Sequence, residues 1–127
     1  MEWSFRNDLP IYSQLVEQIK LAIVSGAFSP GERLASVRDM AMEAGVNPNT
    51  MQRALQELER EGMVFSQRTS GRFVTEDGAV IEAAKKSFAG ERITAFLDSM
   101  RKLGYTGEEI VSLITDSVKE ENNGPNT

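Results

Sequence analysis

The chain has 127 residues, 40% hydrophobic and 26% charged, as in an ordinary globular protein of one domain or a small domain with an appendage. It contains no cysteine and no histidine, which excludes disulfides, thiol chemistry, zinc sites built on those ligands and imidazole acid–base catalysis. Fourteen basic against 19 acidic residues give a net charge of −5, yet residues 1–75 hold 8 basic and 9 acidic side chains, so most of the acidity falls later.

No apolar run approaches the roughly 18 residues of a membrane span. Residues 1–7 lack the basic and apolar regions of a signal peptide, so a cytoplasmic location is expected. The acidic pairs Glu108-Glu109 and Glu120-Glu121 read as a helix start and a solvated chain end. No enzyme, cofactor or metal site is expected.

Residues 10–25 carry Ile11, Leu15, Ile19, Ala22 and Ile23 on one helical face, with Pro10 suited to the first position and Gly26 to the left-handed residue beyond the end. Ser29-Pro30-Gly31 is a turn, and Arg33-Leu34 suits a very short strand. A second helix follows over 37–44. Ser36 is its N-cap, Asp39 stands three residues on, and Gly45 ends it.

After a break of about three residues, a third helix opens at Asn47 (an N-cap) and Pro48 (a first helical position). Met51, Ala54, Leu55 and Leu58 form its buried stripe, and Gly62 ends it. Residues 63–67 and 72–75 read as two short strands around the turn 68–71. Three helices and a hairpin make a winged helix-turn-helix.

Residues 76–78 form a hinge. A long helical pattern runs over 79–103 through Ile81, Ala84, Phe88, Phe96 and Met100, with Gly90 inside it and Gly104 after it. Thr106 and Glu109 suit a capping box for a last helix bearing Ile110, Leu113, Ile114 and Val118. The expected architecture is mainly α with a small β-hairpin. Residues 1–75 form a winged helix-turn-helix DNA-binding domain, and 76–127 a two-helix dimerisation region with a disordered tail from about 120.

In a helix-turn-helix the first helix braces the second, whose N-terminal residues enter the major groove. Asn49, Thr50, Gln52, Arg53 and Gln56 face outward near that end. Asparagine and glutamine bond adenine, arginine suits guanine, and the threonine methyl meets a thymine methyl. Arg38 could reach a phosphate or a base edge. Arg68 and Arg72, flanking the hairpin tip, could enter a minor groove or bind its phosphates. Taken singly these are ordinary solvated residues; their common position on one motif gives them weight.

The chain from Ile23 to Val74 resembles the DNA-binding domain of the GntR family of bacterial transcription regulators. The matching residues are Ile23-x-x-Gly26, Pro30-Gly31-Glu32-Arg33-Leu34, Ser36-Val37-Arg38-Asp39-Met40-Ala41, Gly45-Val46-Asn47, Thr50, Ala54-Leu55, Leu58, Glu61-Gly62 and Gly71-Arg72-Phe73-Val74. The resemblance implies a dimeric repressor on a palindromic operator, contacting DNA through Arg38, Asn47, Asn49, Thr50, Gln52 and the hairpin tip near Thr69. Arg53, Arg68, Ser70, Gly71 and Arg72 complete the candidate DNA-binding set. Pro48 stands where many members carry a base-contacting arginine, which shifts readout onto Asn47, Asn49, Thr50 and Gln52.

The 52 residues after Thr75 are too few for the usual effector domain and resemble the YtrA subfamily. Its short C-terminal part dimerises, and its members often lie in operons encoding ABC transporters, so control of the protein's own operon and a transporter is implied. Two helices cannot enclose a core alone, so Phe88, Phe96, Leu97, Met100, Ile110, Leu113 and Ile114 are expected at a homodimer interface. Folding back onto the first helix and Trp3-Phe5 is the alternative. No effector is identified, and so short a region leaves little volume for one. A winged helix serving only as a protein-interaction module is the competing function.

Overall fold

The computed structural model describes residues 1–123. Its elements are α1 (Ile11–Val24), α2 (Val37–Ala44), α3 (Pro48–Arg60), β1 (Val64–Gln67), β2 (Gly71–Val74), α4 (Gly78–Lys102) and α5 (Gly107–Asn122). Among the described residues no helix is long and apolar enough to cross a membrane. The chain forms two compact units, residues 1–86 and residues from 87 onward.

The first unit is built on α3, against which both α1 and α2 pack. Leu15, Ile19 and Ile23 of α1, Met40 and Ala41 of α2, and Met51, Ala54, Leu55 and Leu58 of α3 share one core with Leu34, Met63, Val64 and Val74. The helix boundaries follow from local chemistry. Ser36 accepts a hydrogen bond from the Asp39 N–H at 3.1 Å, and Asn47 accepts one from the Asn49 N–H at 2.7 Å, which satisfies donors at the starts of α2 and α3. Between them Gly45 takes a left-handed φ of 72°, and the Val46 N–H bonds the Ala41 carbonyl. That closure turns α3 across α2.

β1 and β2 are antiparallel, with Val64 opposite Val74 and Ser66 opposite Arg72. The expected strand at Arg33-Leu34 is an extended segment along the other edge of β2. It bonds through Gly31 N–H to Val74 O, Val74 N–H to Glu32 O and Leu34 N–H to Arg72 O, with Arg33 bridged to Phe73. Phe65 and Phe73 stack across the hairpin with centroids 5.6 Å apart.

Two attachments were not foreseen. The segment before α1 is held down by glutamines: Gln14 accepts from the Arg6 N–H and donates to the Arg6 and Leu9 carbonyls, while Gln18 donates to the Ser4 carbonyl. The first compact unit also runs beyond residue 75, because Val80, Ile81 and Ala84 in the opening turns of α4 pack against the core.

In the second unit α4 continues unbroken through Gly90. Thr106 and Glu109 form the expected reciprocal capping box, whose hydrogen bonds hold the Glu109 carboxyl below its ordinary range. α5 extends to Asn122, so residues 120–122 are helical where a disordered tail was expected; residues 124–127 of that tail lie outside the described ones. Of the seven residues expected at an interface, Phe88 and Ile110 are buried within the single chain, which leaves them little area for a second copy. Leu97 and Met100 are half-buried. Phe96, Leu113 and Ile114 remain about 40% exposed, in the company of Ile93, Leu103, Val111 and Val118.

Candidate nucleic-acid interface

The start of α3 is positioned from below and open above. Met51, Ala54, Leu55 and Leu58 anchor one face in the core at 0–1% exposure. The helical period then leaves Asn47, Asn49, Arg53 and Gln56 exposed, with Thr50 and Gln52 half-buried at the margin. The Asn47 carbonyl oxygen is committed to its cap, and its amide nitrogen keeps its donor capacity.

Charge on this unit is sorted by position. Of the eight basic side chains in residues 1–75, four are neutralised by carboxylates: Arg6 by Asp8, Lys20 by Glu61, Arg60 by Glu57 and Arg72 by Glu59. The Arg60 guanidinium holds the Glu57 carboxyl at about 2, well below the usual carboxylate range. Arg53 carries its guanidinium 4.7 Å over the ring centre of Tyr12, a cation–π contact that steers it toward α1. Of these eight, Arg33, Arg38 and Arg68 have neither a carboxylate at ion-pair distance nor an aromatic ring under the guanidinium among the described residues. Arg38 is exposed in the first turn of α2, and Arg68 begins the hairpin turn.

A cleft of about 500 Å³ opens between α3 and the hairpin. It is lined by Gln52 of α3, by Gln67, Arg68, Thr69 and Gly71 of the hairpin, and by Arg33, Ser36 and Val37. Five of the candidate residues (Gln52, Arg68, Thr69, Gly71 and Arg72) thus line one concavity. Ser70 sits exposed at the hairpin turn beside it, its N–H bonded to the Gln67 carbonyl at 3.1 Å.

Arg72 differs most from expectation. Its side chain is only 18% exposed, and its Nε lies 2.7 Å from Glu59 Oε1, an oxygen that also accepts the Ser66 hydroxyl. The cause is strand alternation. Arg72 is two residues from buried Val74 and opposite Ser66, so both side chains point to the face that meets α3. Its guanidinium therefore ties the hairpin to α3 rather than standing free at the tip. The Ser66 hydroxyl first, then Arg72, hold the Glu59 carboxyl below its ordinary value.

Arg33 is the cation that sequence reasoning passed over. Paired with Phe73, it lies on the strand face shared by Gly71. The available signal was its place in the predicted strand: Leu34 points into the core, so Arg33 must point away from it. Among the described residues no group of three or more histidine, cysteine, aspartate or glutamate side chains is arranged to hold a metal ion.

The family described as bacterial regulatory proteins, gntR family, matches residues 11–74. The chain is 38% identical over 111 residues to the HTH-type transcriptional regulator YhcF of Bacillus subtilis, covering 87% of this chain and 92% of that one. It is 33% identical over 112 residues to the HTH-type transcriptional repressor YtrA of the same organism, covering 85% and 82%. A GntR family transcriptional regulator from Listeria monocytogenes superposes with a TM-score of 0.80 at 37% identity, covering 88% of this chain and 98% of that one. The DNA-binding domain of AraR in complex with operator ORX1 aligns over 59% of this chain and 96% of its own, with a TM-score of 0.54 and 26% identity.

Proposed function

The chain belongs to the gntR family of bacterial regulatory proteins and is of the short YtrA type, and from that premise we propose that it is a dimeric transcriptional repressor. It is a DNA-binding regulator; the repressor role, the palindromic operator and the control of its own operon and an ABC transporter are the proposal. The observation that carries it is the sorting of charge. Of the eight basic side chains in residues 1–75, four are paired with carboxylates and Arg53 is stacked on Tyr12, whereas Arg33, Arg38 and Arg68 have no such partner among the described residues. A protein of net charge −5 thereby keeps free cations where a duplex would lie.

In this reading Asn49, Thr50 and Gln52, with the Asn47 amide nitrogen, contact base edges in the major groove. Arg38 supplies the main cationic contact, and the turn residues Arg68, Thr69 and Ser70 reach the adjacent backbone or minor groove. Arg53, half-committed to Tyr12, serves as an outer contact. The repressor role is supported by the name of the YtrA relative.

Exposed Phe96, Leu113 and Ile114, with half-buried Leu97 and Met100, offer the apolar surface for a second copy. A two-fold dimer would present two copies of α3 to a palindrome. A repressor that works on promoters acts in the cytoplasm. The test is retardation of the promoter fragment upstream of its own gene, with unrelated DNA as competitor. Sequence-selective retardation is expected; equal affinity for both fragments contradicts the proposal and favours a protein-interaction role.

A further inference from the structure

The cleft between α3 and the hairpin has a lining that base recognition leaves unexplained. Two elements that enter neighbouring grooves of one duplex must straddle the sugar–phosphate ridge dividing those grooves. Resting on the DNA-binding reading above, we infer that Arg33 seats a phosphodiester of that ridge in this cleft.

Several observations carry the assignment. Arg33 lines the cleft together with Gln52 of α3 and Arg68 of the hairpin turn, the two elements that such a ridge would separate. Its guanidinium lies along the backbone of Gly71: a Cβ built at that glycine would stand 3.2 Å from Arg33 Nε and 3.5 Å from Nη2. The bare glycine thus lets a planar cation lie flat against the strand. Among the described residues no carboxylate neutralises Arg33, whereas Arg72 in the same lining is held by Glu59. A free guanidinium presents a rigid fork of donors that matches two phosphate oxygens. A phosphate contact positions the protein and carries no sequence information, which sets this role apart from that of Gln52.

The test is the salt dependence of binding for the full chain, measured by fluorescence anisotropy on the promoter fragment and on a scrambled duplex. Arg33→Met keeps the apolar stem against Gly71 and removes the charge, while Arg33→Lys restores a cation. Each phosphate contact contributes about 0.9 to the slope of log affinity against log salt. Arg33→Met is expected to lower that slope by about 1 and to weaken binding on the order of tenfold at about 0.1 M salt. Both duplexes should be affected alike, the melting temperature should stay unchanged, and Arg33→Lys should recover the slope. An unchanged slope in Arg33→Met, or a loss confined to the promoter fragment, overturns the assignment alone. Failure of the unaltered protein to bind either duplex at any salt concentration overturns the DNA-binding reading with it.

Discussion

Replacing Glu59 with glutamine removes one charge from the junction where α3 meets the hairpin, and the size of the effect follows from the geometry. Glu59 takes the Ser66 hydroxyl and the Arg72 Nε–H on one oxygen, with side-chain exposures of 31% for Glu59 and 18% for Arg72. Well-shielded hydrogen bonds to a charged group contribute about 1.5–3 kcal/mol, and fully exposed ion pairs about 0–1 kcal/mol. This partly shielded junction falls between, at about 1–2 kcal/mol, which corresponds to a melting shift of roughly 5–10 °C in a unit of this size. The pH dependence separates charge from shape. The folded-state value of Glu59 lies below its ordinary 4.5, so its contribution is present above that value and lost as pH falls through the lowered one. Thermal melts followed by circular dichroism should show Glu59→Gln less stable near pH 7, with the difference from the unaltered protein shrinking as the pH falls below 4.5. A difference that persists undiminished in acid, or is absent at neutral pH, refutes this account.

Other outcomes follow from the same geometry. Arg38→Ala should abolish selective retardation of the promoter fragment with the melting temperature unchanged, and full retained affinity would remove Arg38 from the interface. Gln52→Ala should change base preference in a randomised-site selection, with little effect on non-selective binding; an unaltered preference would exclude it from base contact. Leu58→Ala, at a position with no exposure, should destabilise the fold by about 2–5 kcal/mol in urea unfolding, whereas a cost below 1 kcal/mol would contradict its place in the core. Sedimentation at micromolar concentration should give a dimer, and Phe96→Glu should shift it toward monomer; a monomeric unaltered protein would contradict the interface.

Local chemistry made most of the DNA-facing unit legible in advance. Ser36, Gly45, Asn47 and Pro48 act within a few residues of themselves, so the bounds of α2 and the start of α3 could be read from caps alone. The capping box at Thr106 was readable for the same reason. Side-chain partnerships across long sequence separations were not. Arg53 meets Tyr12 from 41 residues away, and Arg72 meets Glu59 only because β2 returns along α3. Arg72 was nonetheless recoverable, since strand period places it on the face of Val74 and not at the free tip. The unit boundary was set by composition at residues 76–78, whereas Val80, Ile81 and Ala84 carry the core contacts onward into α4.

The central claim is that the N-terminal half of α3, the first turn of α2 and the hairpin turn meet DNA together. Backbone amide shifts measured during titration of the isotope-labelled chain with its promoter duplex test this most directly. The largest changes should fall at Arg38, Asn49, Thr50, Gln52, Arg68 and Thr69, with Leu15 and Ile19 on the far side of the core nearly unmoved. Saturable binding that leaves these six amides unshifted would contradict the account.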